Sequence, residues 1–288
     1  MGFWVAALVA APGMANAQPV DLFYERAVMT AADARCDLFA PDLGAALAAA
    51  TAQARGAALR AGTSSDVLRA VESSARNKAA TAGCSSSDIT VAATRVKTAF
   101  SGYAKITRLT YPGDVAPWQA DRAGGRTSSW RLSQETTFGA DKMAFGLAGV
   151  RDGPGALVAV ARFADGAQPY AARLLLRDGA RSSQPYLDRW TGGSTARLPL
   201  ERRLPPRGAL KAYAASARGP AGPDLLPRDA KSGWAFRFPE TAARDLAGLD
   251  PRESIAVEFL FPGDVTRRAY VEVGDFAAGR AFLQLAAR

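Results

Sequence analysis

The hydrophobic period of this chain changes near residue 107, and that change constrains its architecture more than any motif does. Upstream, over residues 21–105, apolar side chains recur at three- and four-residue spacing within Ala-rich segments, as on amphipathic helices. Downstream, short runs alternate or are solidly apolar, and Gly and Pro gather between them, as between strands. Helices first and strands after predict an α+β fold. Its first part is a small helical bundle over residues 18–106. Its second is an antiparallel β-sandwich or rolled sheet over residues 107–288 with a C-terminal helix.

Local punctuation places the helices. Thr30 and Asp33 read as a capping pair before residues 34–39. Pro41 and Asp42 open a second helix that runs to Arg60, with Gly62 just past its end. Ser64, Ser65 or Asp66 caps a third, ending near Gly83, and residues 85–88 cap a fourth. Short connections predict an up-and-down arrangement. Strands are expected at 130–136, 143–148, 156–163, 171–177, 209–215, 233–238, 255–261 and 269–273. Short helices are expected at 240–246 and 276–285, and exposed Pro/Gly-rich loops at 202–207 and 218–228.

Residues 1–17 read as a signal peptide: an apolar run over 3–11, the Pro12-Gly13 break, and an Ala15-Asn16-Ala17 cleavage site. Cleavage after Ala17 would deliver the chain to the periplasm. In that oxidising compartment the only two cysteines, Cys36 and Cys84, are expected to form one disulfide. Closing such a loop contributes about 4 kcal/mol in the chain-entropy model. An Ala-rich bundle buries little area per residue, so it needs that bridge and the support of the second half.

The chain has no histidine. This removes Ser-His-Asp and Cys-His nucleophiles, HExxH metalloproteases and proximal-His haem. Two cysteines without histidine make no zinc site, and no phosphate-binding or nucleophile-elbow motif is present. The expectation is therefore no cofactor and no metal. The net charge of +9 comes from 36 basic residues, six of them Lys, scattered along the sequence rather than gathered in a stripe. This argues against nucleic acid and for weak attraction to anionic lipid surfaces or envelope polymers.

One segment concentrates chemistry. Residues 111–122 carry Tyr111, Asp114, Trp118, Asp121 and Arg122 between the two halves, as a linker that could bind a ligand in an interdomain cleft. Asp188-Arg189-Trp190 reads as a solvated turn, and Glu253, Glu258, Glu272 and Asp275 as cross-strand partners of Arg267 and Arg268. Two functions follow as expectations. The first is an exported, non-enzymatic binding or structural module of the cell envelope, with an envelope protein or polymer as partner. The alternative is a periplasmic glycan hydrolase using Asp114 and Asp121 as its carboxylate pair.

Overall fold

A computed structural model of the chain describes residues 18–123, 125–150, 155–182, 185–187, 195 and 198–284. Residues 1–17, where a signal peptide is expected, and the Asp188–Trp190 triplet lie outside the described residues.

The helical half contains α1 (Pro19–Cys36), α2 (Pro41–Arg60), α3 (Ser65–Thr81) and α4 (Ser87–Tyr103). The punctuation works where it is local. Pro41 starts α2, and Gly62 follows it at φ +95°. Ser64 Oγ accepts from Val67 N–H, and Ser86 Oγ from Ile89 N–H, each satisfying an otherwise unpaired amide of the first turn. The Thr30–Asp33 pair is a correction. Both lie inside α1, where Thr30 Oγ1 bonds back to Arg26 O and Asp33 Oδ1 accepts from Phe39 N–H beyond the helix end. Asp33 therefore closes a helix instead of opening one.

Cys36 at the end of α1 is bonded to Cys84 in the turn before α4. The Arg35 guanidinium donates to Ala79 O and Ala82 O at the C-terminal end of α3, beside that bridge. Phe23, Leu59 and Leu68 form the core shared by α1, α2 and α3.

The second half is two antiparallel sheets. The first has the order β1 (Arg108–Tyr111), β2 (Trp118–Asp121), β3 (Ser129–Phe138), β4 (Asp141–Gly149), β5 (Ala156–Arg162), β9 (Trp234–Phe238), β8 (Ala217–Pro220). The second has the order β11 (Val265–Glu272), β10 (Ser254–Phe261), β6 (Ala171–Arg177), β7 (Leu210–Ala214). Alternate residues of both sheets meet in one core: Phe145, Ala159 and Phe236 from the first, Leu174, Val257 and Phe259 from the second. Among the described residues this half also holds three short α-helices: α5 (Leu200–Arg203), α6 (Glu240–Ala247) and α7 (Phe276–Leu283). Among the described residues no helix is long and apolar enough to cross a membrane.

Two expectations change. The 111–122 segment is not a free linker, because β1 and β2 pair as a hairpin at the edge of the larger sheet, with Arg108 opposite Asp121 and Tyr111 opposite Trp118. The 218–228 stretch is not all loop either, since Ala217–Pro220 adds an edge strand to β9.

The two halves meet along α2 and α7. Ala46 of α2 joins the sandwich core. Arg60 donates to both Asp275 oxygens, at 2.7 and 3.0 Å, and Ser65 Oγ lies 3.5 Å from Asp250 Oδ2.

Candidate functional site

The five residues singled out in the sequence fall into two places. Tyr111, Asp114 and Trp118 belong to a buried knot at the tip of the β1–β2 hairpin; Asp121 and Arg122 lie at its other end.

The knot is organised by Glu272, which is fully buried. Its Oε1 accepts from Asp114 N–H at 2.8 Å, and its Oε2 from Val115 N–H at 2.8 Å and Ala116 N–H at 3.4 Å. Gln134 clamps the same turn, donating to Ala116 O and accepting from Glu272 N–H. The chain can turn so tightly because position 113 is glycine: a Cβ there would stand 2.3 Å from Ala116 O and 2.8 Å from Glu272 Oε2. The Asp114 carboxylate accepts from Arg203 Nη1 at 2.9 Å and Thr195 Oγ1 at 3.2 Å. Trp118 donates from Nε1 to Val273 O and packs edge-on against Phe276 and Phe145. Tyr111 is 1% exposed, and burial pushes its hydroxyl pKa up.

Arg203 carries no signal of its role in the sequence. Its Pro-rich surroundings predict an exposed loop, yet it is 1% exposed at the end of α5. Its Nε donates to Leu198 O, and its Nη1 also lies 3.9 Å from Glu272 Oε1. Two carboxylates, Asp114 from the β1–β2 turn and Glu272 from β11, explain the burial, because a guanidinium leaves water only when charge and hydrogen bonds await it. Its Nη2 is the one buried side-chain nitrogen or oxygen among the described residues without a hydrogen-bond partner.

At the other end, Asp121 pairs with Arg108 at 2.9 Å on the surface. Arg122 is buried, stacks over the Phe282 ring at 4.3 Å and donates to Ala104 O and Ile106 O. Asp121 and Asp114 are separated by the whole β2 strand plus part of the turn. Each carboxylate already holds an arginine, Arg203 at Asp114 and Arg108 at Asp121.

The acidic residues of the C-terminal half also sort differently from the cross-strand expectation. Glu258 does face Arg268 directly across β10–β11, and Arg173 from β6 joins it. Arg267 instead holds Asp141 and Asp165, Glu253 holds Arg177 at 3.0 Å, and Asp275 holds Arg60.

One open cleft lies beside the Asp121 carbonyl. A cleft of about 620 Å³ opens where the ends of β3, β5 and β9 meet α6 and α7, lined by Arg131, Arg237 and Arg280. Leu157, Phe238 and Leu283 supply apolar wall. Arg131 sits at a bulge between Trp130 and Leu132, and is 7% exposed. It donates to Asp121 O at 2.8 Å and Val150 O at 2.9 Å, both neutral acceptors. None of the three arginines makes an ion pair among the described residues. The cleft's own carboxylate, Glu240, is 80% exposed and lies 3.8 Å from Arg244.

The class is therefore α+β: a disulfide-tied helical bundle set on a two-sheet β-sandwich. No family model, curated protein or solved structure matches the chain.

Proposed function

We propose that this is an exported periplasmic protein that serves as a non-enzymatic binding module of the cell envelope, holding an anionic envelope polymer or protein in the arginine-lined cleft. The observation that carries the reading is the gathering of Arg131, Arg237 and Arg280 at one opening, without carboxylate partners among the described residues. At Arg60, Arg177 and Arg203, by contrast, the guanidinium is buried against a carboxylate. At the cleft the same side chain is left with positive charge for a partner to meet. The Cys36–Cys84 bridge supports the compartment, because such bonds persist where thiols are not kept reduced.

Export is tested by fractionating cells that carry the tagged full-length chain, with intact mass and thiol counting. Periplasmic recovery, loss of residues 1–17 and no free thiol are expected; a full-length cytoplasmic product would refute it. Binding is tested by retention of the mature protein on washed cell envelopes. Retention should fall with salt and drop at least tenfold in R237A/R280A; equal retention of that variant would remove the cleft from the reading.

A further inference from the structure

We infer that the arginine-lined cleft takes a phosphomonoester group attached to an apolar body. The inference rests on the binding reading above and names the ligand chemistry of the same cleft.

The argument starts with Arg131. A guanidinium at 7% exposure has given up most of its water, and its two donated bonds end on the carbonyls of Asp121 and Val150. Carbonyl dipoles orient the group but do not neutralise it. Arg237, exposed on β9, and Arg280, half-buried on α7, line the same opening from two other elements. Among the described residues the only acid on the wall is Glu240, already beside Arg244. The cleft thus keeps an excess of positive charge that a dianion balances better than a monoanion.

Geometry adds to charge. Each guanidinium is a planar fork of donors suited to paired oxygens. Three forks outnumber the two oxygens of a carboxylate, whereas a phosphomonoester presents three terminal oxygens and about two negative charges. The neighbouring wall is of the opposite kind: Ala156, Pro239 and Leu283, each partly exposed, offer carbon, not hydrogen bonds. A small inorganic anion would leave that wall in contact with water. An ester with an alkyl or acyl body covers it, and each methylene so removed from water adds to the affinity. Phosphate on an apolar body satisfies both halves of the cleft, from either of two sources: a membrane lipid headgroup or a soluble monoester.

The experiment is calorimetric titration of the mature protein with inorganic phosphate, n-hexyl phosphate and hexanoate. Vesicle co-sedimentation accompanies it, with phosphatidylcholine alone or containing phosphatidic acid. Hexyl phosphate should bind at least tenfold more tightly than inorganic phosphate and than hexanoate. R237A/R280A should weaken it at least tenfold, and R95A, on α4 and not among the residues that line the cleft, less than twofold. Neither Arg237 nor Arg280 donates a side-chain hydrogen bond among the described residues, so unchanged thermal midpoints should accompany the loss. Recruitment to phosphatidic acid vesicles assigns the lipid source, and hexyl phosphate binding without recruitment assigns the soluble one. Hexanoate binding as tightly as hexyl phosphate would overturn the phosphate assignment and leave the cleft as an anion site. No phosphate binding with envelope retention intact would also overturn it, while sparing the binding reading. Equal losses in R95A and R237A/R280A would mean that only diffuse charge is at work, and the inference would fall.

Discussion

Replacing Gly56 with alanine sets two effects of known size against each other. Gly56 lies inside α2, where a Gly-to-Ala change ordinarily stabilises a helix by about 1 kcal/mol. Here a Cβ would stand 2.5 Å from Asp275 Oδ1 and 3.4 Å from Arg60 Nη1. Those atoms belong to the two-pronged bridge that fastens α2 to the start of α7, and its side chains are 11% and 1% exposed. The carboxyl cannot move aside without releasing the fork. Leaving a buried charge without its partner costs about 3–5 kcal/mol, so the net loss should be about 2–4 kcal/mol. Burial raises the Asp275 pKa in the folded protein, with Arg60 opposing the rise. A carboxyl with a raised folded pKa binds its proton more readily folded than unfolded, so its linkage lowers stability as pH rises through that window. The deficit of G56A should therefore shrink toward pH 4, where a protonated carboxyl no longer needs its partner. Urea unfolding followed by circular dichroism at pH 7 and pH 4 measures both. Gly102 of α4 is the control: a methyl group there would meet nothing within 4 Å, and alanine should gain up to about 1 kcal/mol. A G56A protein as stable as the parent, with an unchanged denaturant slope, would refute the reasoning.

Three further outcomes are expected. Replacing both Cys36 and Cys84 with alanine opens a loop of 48-residue separation; it should cost about 4 kcal/mol, read as a shift in the urea midpoint that a reductant reproduces in the parent. Hydrogen bonds from Lys211, then Tyr213, lower the Asp245 pKa, and Asp245 in turn raises that of Lys211. The lowered carboxylate contributes stability above about pH 4 that is lost as pH falls, and the raised ammonium contributes stability that is lost as pH rises past about 10. K211M should flatten both limbs of the stability–pH curve, and limbs identical to the parent's would exclude the pair as their source. Glu272→Gln keeps the shape of the knot but replaces one accepting oxygen with a donor facing backbone N–H groups; faster amide exchange at Asp114–Ala116 should follow, and unchanged protection there would mean the turn holds itself.

Legibility followed distance along the chain. The boundaries of α2 and the N-terminal ends of α3 and α4 could be read because their signals, Pro41, Gly62, Ser64 and Ser86, act within a few residues. The Thr30–Asp33 cap failed for a local reason too: the same side chains that open a helix can also satisfy groups at its last turn, as Asp33 does with Phe39. The β1–β2 hairpin escaped notice because its strands are four residues each and its turn is held from outside, by Glu272 at a separation of 158 residues. No pattern within residues 111–122 reports that. Of the candidate site, the sequence singled out Asp121, whose carbonyl accepts from Arg131, but none of the arginines that line the cleft.

Those arginines show why a net charge of +9 reads poorly from sequence. Arg203 and Arg131 are equally basic on paper and almost equally buried, at 1% and 7% exposure. Arg203 meets Asp114 from 89 residues away, whereas Arg131 meets only backbone carbonyls. The first helps hold the hairpin tip to α5, and the second carries its charge to an opening. What distinguishes them is the supply of carboxylates that folding brings to each, so the charge available to a partner is what pairing leaves over. The same logic separates arginine from lysine at both places. A single ammonium cannot span the reach from Leu198 O to Asp114 at Arg203, nor hold two carbonyls at Arg131 while presenting a further edge to the cleft. Lysine at position 203 should therefore loosen the knot, and lysine at 131 should weaken binding with no change in formal net charge.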